Sequence, residues 1–246
     1  MSRHIIAVFT ALCFMVMIFA SGFGICIIPK TTEILAGYTD RDLYEGCPFT
    51  TEQIVRAAVA TEDYTMFSND YGMVMEVIRQ INAEAGTPYA GASIVDLQSA
   101  DEAYTLDARA LSHLDDCFRV VNIARAIICV IAAAGIILAI VLLTKRAEGR
   151  RSLSRALKCA AIILGLAVIA IAVWAYVDFN GFFTAFHGLF FADGTWTFSY
   201  NSLLITMYPE GFWVGMGAIW FVGSLIAGII VFALGSAIKP RKEVLQ

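Results

Sequence analysis

The sequence predicts an all-α integral membrane protein. It would have four transmembrane helices, a largely helical extracytoplasmic loop domain and an aromatic helix at the membrane interface. Of the 246 residues, 59% are hydrophobic and only 15% are charged, whereas a soluble domain has about 25% charged residues. Four stretches contain no charged residue: 5–29, 126–143, 159–177 and 212–238. Each is close to the roughly 20 residues with which a helix crosses a bilayer.

These stretches define predicted spans at about residues 5–29, 120–143, 157–177 and 212–238, within a single membrane domain. The first span has a second interpretation as a cleaved signal peptide, because Ala20, Ser21 and Gly22 form a small-residue cleavage site. The apolar core of a signal peptide is usually about 7–15 residues long. This stretch continues well past the site, so we favour an uncleaved span.

The distribution of charge predicts the orientation of the chain. Between residues 145 and 158 there are six basic side chains and one acidic side chain, whereas residues 30–119 hold sixteen acidic and six basic ones. The positive-inside rule therefore places both termini, the loop at 144–156 and the tail at 239–246 in the cytoplasm. Two extracytoplasmic loops remain, at residues 30–119 and 178–211.

The first extracytoplasmic loop is predicted to be mostly helical. Thr50 and Gln53 have the spacing of a capping box, which begins a helix. A second amphipathic helix at 73–85 is followed by Gly86, a typical helix terminator, and residues 87–100 show no regular period. A third helix is expected from about Thr105. It continues into the second span, because no glycine or proline occurs between residues 106 and 134.

Two of the three histidines lie in the predicted outer loops, close to a span. They are His113 and His187, whereas His4 is at the inner end of the first span. Imidazole is the usual side chain for proton transfer near neutral pH. Asp116 follows His113 by three residues, on the same helical face, where it can accept a ring N–H and orient the imidazole. His187, His113 and Asp116 are therefore candidate catalytic residues.

Other interpretations of these residues stay open at this point. His187 can be an amphipathic anchor at the membrane interface, and Asp116 can simply extend the acidic surface next to Asp115. Two histidines and an aspartate can also bind a metal ion. The sequence contains no GxSxG, HExxH, P-loop or dinucleotide-binding pattern that would favour another class of enzyme.

Aromatic residues are concentrated around His187. Phenylalanines at 182, 186 and 190 recur every fourth residue, which favours a helix lying in the interface. Such residues commonly form an aromatic belt at the membrane boundary. The functional interpretation is a wall for acyl chains beside the histidine, made from the aromatics Phe182, Phe183, Phe186, Phe190, Phe191, Trp196 and Phe198. Of these, Phe186, Phe190, Phe191 and Trp196 are the candidates for substrate binding.

Glu210 directly precedes the fourth span. Its carboxylate is expected to stabilise the positive end of that helix, and we also consider it a candidate for substrate binding. Ser224 and Gly228 form a small-residue step that allows close helix packing, within the molecule or, less favoured, in a dimer.

Cys47 and Cys117 both fall in the first predicted outer loop. Disulfides form in oxidising compartments outside the cytoplasm. A disulfide between these two cysteines is therefore possible.

Two segments together resemble a known family. They are ALSHLDDC at 110–117 and FHGLFF at 186–191, the second followed by Trp196, Phe198 and PEGFW at 209–213. This combination resembles the four-span bacterial membrane family of lipoprotein intramolecular transacylases. The FHGLFF block with the downstream aromatics is specific, whereas the H-x-x-D at 113–116 alone is not. Residues 65–100 do not match the family pattern.

The resemblance implies an acyltransferase of the bacterial cell membrane that needs no cofactor. Such enzymes move the sn-2 acyl chain of a diacylglyceryl-cysteine lipoprotein to the α-amino group of the same cysteine, which gives a lyso-form lipoprotein. The expected partners are diacylated bacterial lipoproteins and membrane lipid, with no metal. The family's essential histidines correspond to His113 and His187. The alternatives are a non-catalytic membrane module that binds a partner or cation through its acidic outer loop, and a metal-dependent membrane hydrolase.

Overall fold

The computed structural model describes residues 2–38 and 46–238, so the predicted tail at 239–246 lies outside the described residues. The regular structure of the described residues is helical, with no β-strand, which confirms the predicted all-α class. In chain order the helices are α1 (Arg3–Cys26), α2 (Pro29–Tyr38), α3 (Thr51–Asp63), α4 (Tyr71–Ala85), α5 (Ile94–Leu97), α6 (Ala108–Thr144), α7 (Arg146–Val177), α8 (Phe179–Gly188), α9 (Leu203–Met207) and α10 (Glu210–Ala237).

Four of these helices are long and apolar enough to cross a membrane, as predicted: α1, α6, α7 and α10. Their most apolar windows have a mean hydropathy between 2.3 and 3.2, and only 11–22% of the residues in those windows are buried inside the protein. At about 1.5 Å per residue each helix exceeds the roughly 30 Å of hydrocarbon in a bilayer. Apolar side chains left exposed along such helices are suited to contact with lipid.

The chain forms two compact units. The span unit contains residues 2–25, 124–179 and 218–238, and the loop unit contains residues 26–38, 46–123 and 180–217. The loop unit has one apolar core, to which both predicted outer loops contribute. Its fully buried side chains include Ile54, Met75, Ile78, Leu203 and Met207.

Close packing of α1 against α10 is a feature of the span unit. A Cβ atom added to Gly22 would lie 2.3 Å from Ser224 Oγ and 2.3 Å from the Trp220 carbonyl oxygen. Trp220 Nε1 donates a hydrogen bond of 2.9 Å to the Phe19 carbonyl, and its ring lies between those of Phe19 and Phe23. The small-residue step at Ser224 therefore packs within the molecule, as small residues do between membrane helices.

Local sequence signals set the first helices of the loop unit. The predicted capping box is confirmed: Thr50 Oγ1 accepts from the Gln53 amide at 3.3 Å, and Gln53 Oε1 accepts from the Thr50 amide at 2.9 Å. Helix α4 ends at Gly86, as predicted, in the left-handed conformation with φ of 62°. It begins two residues earlier than predicted because the Asp70 carboxylate caps the Met73 amide.

Two features of the loop unit differ from the prediction. The segment at 87–100 is not wholly irregular, because Ser93 caps the single helical turn of α5. Between α3 and α4 the chain forms a π-helical segment, Tyr64–Ser68, which ends at Asn69 with φ of 50°. π-Helical turns place an extra residue in a helix and shift the side chains that follow.

Helix α6 is continuous over 37 residues. It begins at Ala108 rather than near Thr105, since the Asp107 carboxylate accepts a 2.8 Å hydrogen bond from the Ala110 amide at the helix start. The prediction that the helix of the second span extends into the first loop is confirmed. His113 lies on this extension, which precedes the predicted span at 120–143.

The suggested disulfide between Cys47 and Cys117 is not formed, because both cysteines are free. The Cys47 thiol donates to the Phe49 carbonyl at 3.7 Å. Cys117 instead faces a side chain of its own helix, described below.

We expect Gly22→Ala to destabilise the span unit. The added methyl group would meet the backbone carbonyl of Trp220, which no side-chain rotation can move away, and overpacking of this kind costs about 1–3 kcal/mol. Thermal unfolding in detergent, followed by tryptophan fluorescence, measures the loss.

Gly24→Ala is the matched control, two residues along the same helix. Among the described residues beyond its own turns of helix, no atom lies within 4 Å of a Cβ atom added at Gly24, so this variant should unfold at the wild-type temperature or slightly above it. Equal melting temperatures for the two variants would contradict the described packing.

Candidate active site

The structure brings His113 and His187 together within the loop unit. His113 lies on α6 and His187 in the last turn of α8. Their ring centroids are 6.2 Å apart and their planes differ by 29°. Each residue is only 8% exposed, so the chain holds two imidazoles side by side and largely away from water.

The shared core of the loop unit explains this meeting of distant residues. The chain after α8 packs its buried Leu203 and Met207 into the core formed by the first predicted loop. The Leu203 amide donates to the Glu102 carbonyl at 2.7 Å, and Arg109 Nη2 donates to the Thr197 carbonyl at 2.9 Å. These bonds hold the segment after His187 against the start of α6.

A backbone carbonyl one turn earlier sets the orientation of His187. Its Nδ1 is 2.9 Å from the Phe183 carbonyl oxygen. A carbonyl only accepts hydrogen bonds, so Nδ1 carries the hydrogen and Nε2 keeps a free lone pair. The Phe183 ring centroid is 3.9 Å from that of His187, and the Trp196 centroid is 4.8 Å away. This tautomer leaves the Nε2 lone pair of His187 available to accept a hydrogen.

His113 contacts a cysteine rather than the expected aspartate. Its Nε2 is 3.6 Å from Cys117 Sγ, one helical turn later, and its buried Nδ1 has no hydrogen-bond partner among the residues that the structure describes. The predicted hydrogen bond to Asp116 is wrong, because Asp116 accepts from Arg119 at 3.3 Å on an exposed face. On this helix the side chain four residues after His113, Cys117, contacts the imidazole, whereas the side chain three residues after it, Asp116, is directed to Arg119.

Aromatic rings surround the two imidazoles. Phe191 lies edge-on to His113 at 4.8 Å and 5.8 Å from His187. Phe198 is 5.7 Å from His113 on another side. Trp196 packs on His187, and its buried Nε1–H has no hydrogen-bond partner within residues 2–38 and 46–238. Trp196 Nε1 and His113 Nδ1 are thus two polar ring nitrogens in this aromatic cluster without a partner in the described part of the chain.

Of the other predicted substrate-binding residues, Phe186 lies edge-on to His187, with ring centroids 5.7 Å apart. Phe186 and Phe190 contact each other at 5.2 Å and are 37% and 48% exposed, which places them on an open apolar surface. Glu210 is exposed in the first turn of α10, where a carboxylate stabilises the helix start. The ring and hydrogen-bond contacts of the two histidines do not include Glu210.

Burial shifts both imidazoles towards their neutral form. Desolvation, with a smaller contribution from His187, lowers the pKa of His113 to about 4, and nearby Asp116 opposes the shift. Desolvation also lowers the pKa of His187, partly offset by its hydrogen bond to the Phe183 carbonyl. Both rings are therefore neutral near pH 7, the state in which an imidazole accepts a proton or donates a hydrogen bond.

A metal centre made from the same residues has no support in the structure. Among residues 2–38 and 46–238, no group of three histidine, cysteine or acidic side chains is placed to hold an ion. Asp116, the third ligand considered from the sequence, faces Arg119 instead.

The sequence analysis placed Phe183 and Phe198 only among the interfacial aromatics, not among the candidates for substrate binding, and it did not assign Cys117 to the site. Two of them carry a recognisable signal: Phe183 precedes His187, and Cys117 follows His113, by four residues. Residues at this spacing are neighbours on a helix. Phe198 lies in an irregular segment, so its contact with His113 depends on tertiary packing alone.

The fold and the site define a multi-pass helical membrane protein with a buried pair of neutral imidazoles in an aromatic cluster. The sequence model of the family "Lipoprotein intramolecular transacylase Lit" matches residues 8–213. The chain belongs to this family. It is a multi-pass bacterial membrane protein of a family of transacylases.

Solved structures with a similar fold include membrane-integral lipoprotein intramolecular transacylase Lit from Bacillus cereus. This structure has a TM-score of 0.64 and 16% sequence identity, over 96% of this chain and 95% of that one. A variant of that protein with a histidine replaced by arginine has a TM-score of 0.64 and 16% identity, over 96% of this chain and 91% of that one. A histidine-to-alanine variant has a TM-score of 0.59 and 16% identity, over 96% of this chain and 93% of that one. A sequence comparison with curated proteins finds no match. At this level of identity the likeness shows a shared fold.

We expect His113 and His187 to titrate below pH 6.5. Signals of ¹⁵N-labelled histidine, assigned with His113→Gln and His187→Gln variants, should show His113 neutral until the pH approaches about 4. Because unfolded histidine binds a proton at higher pH than the buried one, the free energy of unfolding should fall as the pH drops from about 6.5 to about 4. A His113 pKa above 6.5 would contradict the described burial.

Proposed function

We propose that this protein moves the sn-2 acyl chain of a diacylglyceryl-cysteine lipoprotein to the α-amino group of the same cysteine. The family assignment supports the class of reaction. The observation that carries the proposal is the pair of buried neutral imidazoles with centroids 6.2 Å apart, each with one ring nitrogen free of partners among the described residues.

The reaction requires acid–base chemistry and no change of oxidation state. The neutral amine of the substrate attacks the ester carbonyl, so an N–C bond forms and the C–O bond to glycerol breaks. One proton leaves the nitrogen and one is gained by the glycerol oxygen, so atoms and charge balance. The ester becomes a more stable amide, and the step as written uses no cofactor.

In this proposal His187 is the general base. Its Nδ1–H is held by the Phe183 carbonyl, and Nε2 therefore presents a lone pair to the amine. After taking the proton, the imidazolium returns it towards the departing glycerol oxygen. General acid–base catalysis of this kind contributes about 10²–10⁴-fold in rate, and the placement of amine and ester in one bound molecule adds the effect of proximity.

His113 acts at the glycerol oxygen. Its Nδ1 is buried in the aromatic cluster without a partner in the described part of the protein, and a buried polar group in this state is expected to meet one from the substrate. Asp116 contributes only through its field, since its carboxylate is paired with Arg119.

The aromatic residues would bind the substrate around the reacting groups. Trp196 Nε1–H is a free donor beside His187 and is suited to the oxygen of the ester carbonyl, where negative charge develops. Phe191 packs against both imidazoles and keeps water from them. We assign Phe186 and Phe190 to the acyl chains, because they form an exposed apolar pair, and Glu210 to the approach of the lipoprotein.

The site would lie at the extracytoplasmic face of the bacterial cell membrane, with both termini in the cytoplasm. This placement rests on the basic loop at 144–156 and the acidic loop at 30–119. Mature lipoproteins carry their lipid at that face, so a site there meets its substrate in the plane of the bilayer.

We expect His187→Ala and His113→Ala each to leave lipoproteins diacylated. Each substitution removes one imidazole from the proton transfer, with a loss of about 10²–10⁴-fold. Each variant is expressed in a bacterium whose lipoproteins are diacylated, and N-terminal lipopeptides are read by mass spectrometry.

Asp116→Asn is the matched control on α6. It removes a carboxylate that contacts Arg119 and neither histidine, so we expect it to produce the lyso form. Lyso-form lipopeptides from either histidine variant would contradict the mechanism. Diacylated lipopeptides from well-inserted wild-type protein would contradict the function and favour a non-catalytic module.

Trp196→Phe should slow the reaction about 10²–10³-fold, the effect of removing one donor to an oxyanion. The phenyl ring keeps the packing on His187 but lacks the N–H. Trp213→Phe is the control, since Trp213 also contacts the Phe183 ring but does not touch either imidazole. Equal rates for the two variants in the lipopeptide assay would remove Trp196 from the oxyanion site.

A further inference from the structure

The contact between His113 and Cys117 has no part in the scheme above. Cys117 Sγ is 3.6 Å from His113 Nε2, within hydrogen-bond distance for sulfur. The other ring nitrogen, Nδ1, is buried and has no hydrogen-bond partner within residues 2–38 and 46–238. His113 as a whole is 8% exposed. The thiol is therefore the one protein group bonded to this imidazole, among the residues that the structure describes.

The chemistry of the two groups decides which of them donates. A thiol is a weak donor and its sulfur a weak acceptor, whereas the lone pair of a neutral imidazole is a good acceptor. Burial raises the pKa of the Cys117 thiol to about 12, with the Asp116 carboxylate acting in the same direction, so the sulfur keeps its hydrogen. The favourable pairing is the Cys117 S–H donating to His113 Nε2. In the opposite pairing a strong N–H donor would bond to sulfur, which is a weak acceptor.

We propose that Cys117 is a positioning residue that fixes the tautomer of His113. With Nε2 occupied as an acceptor, the ring hydrogen is on Nδ1, and His113 presents an N–H donor to the substrate rather than a lone pair. His187 has its hydrogen on Nδ1 as well, but there the Phe183 carbonyl covers that hydrogen. The two histidines therefore expose opposite groups, a donor on His113 and an acceptor on His187.

This inference rests on the proposed function and deepens it. It assigns His113 as the hydrogen-bond donor that stabilises negative charge on the departing glycerol oxygen, and it leaves His187 as the base. In a histidine-based catalytic site, a base held in the wrong tautomer loses most of its activity. A neighbour that selects the tautomer therefore matters even though it does not touch the substrate.

The test is ¹⁵N NMR of histidine-labelled protein in detergent or nanodiscs at pH 7.5, where tautomers are distinguished by their nitrogen shifts. The chain has three histidines, so His113 is assigned with one substitution each at His113 and His187. We expect wild-type His113 to be protonated at Nδ1. Cys117→Ala should give a mixture of tautomers at His113 with an unchanged His187 signal, and Cys117→Ser should restore the Nδ1–H form, because its hydroxyl also donates.

Activity provides the second measurement. Loss of one orienting hydrogen bond should lower kcat of Cys117→Ala about tenfold with KM unchanged, and Cys117→Ser should recover most of it. Cys47→Ala is the matched control: it removes a partly buried thiol of the same unit that donates to the Phe49 carbonyl. We expect the control to change neither the His113 tautomer nor kcat.

An Nε2–H tautomer at His113 in the wild-type protein would overturn the inference. The inference would also be overturned if His113 kept its wild-type tautomer in a Cys117→Ala variant whose His187 signal is unchanged. These outcomes do not depend on turnover. An inactive wild-type protein that showed the expected tautomers would contradict the proposed function and leave the role of the thiol intact.

Discussion

The rotational position of the first turns of α6 is the constraint on which the site depends. Leu114 is buried in the core of the loop unit. The next residue, Asp115, accepts hydrogen bonds from the Tyr64 hydroxyl and, at 3.0 Å, from Asn69 Nδ2. Since successive helical residues turn by about 100°, these two contacts fix the direction of His113. The π-helical segment that carries Tyr64 thus positions a side chain outside its own helix.

Desolvation gives this arrangement its chemical character. A charged imidazole enclosed by phenylalanine and tryptophan rings would be costly, so both histidines are held neutral. A neutral pair can take a proton from an amine and donate a hydrogen bond to an oxygen in the same encounter. Water held near these groups would compete for the ester, and the close packing of Phe191 on both rings limits its access.

Local rules predicted the spans and the helix ends, because these depend on neighbouring residues. The capping box at Thr50 and the stop at Gly86 are of this kind. The partner of His113 was predicted wrongly, as Asp116, because the positions three and four residues on are both neighbours on a helix, and the pairing of Asp116 with Arg119 decides between them. Cys117 was considered for a disulfide, and only the packed structure shows that its thiol faces the imidazole. That His187 meets His113 follows from a shared core, which no local pattern encodes.

Both imidazoles are oriented by a hydrogen bond within their own helix, but the partner group differs. Each has one nitrogen engaged by a group one turn away on its own helix, a carbonyl at Phe183 for His187 and a thiol at Cys117 for His113. Contacts within a helix therefore set which nitrogen each ring presents, and tertiary packing sets how close the rings lie. A carbonyl can only accept, so the form of His187 is invariant. A thiol can also accept, so the tautomer of His113 depends on Cys117 remaining a donor. A substitution at Cys117 would therefore change the tautomer of His113 without changing the distance between the two imidazoles.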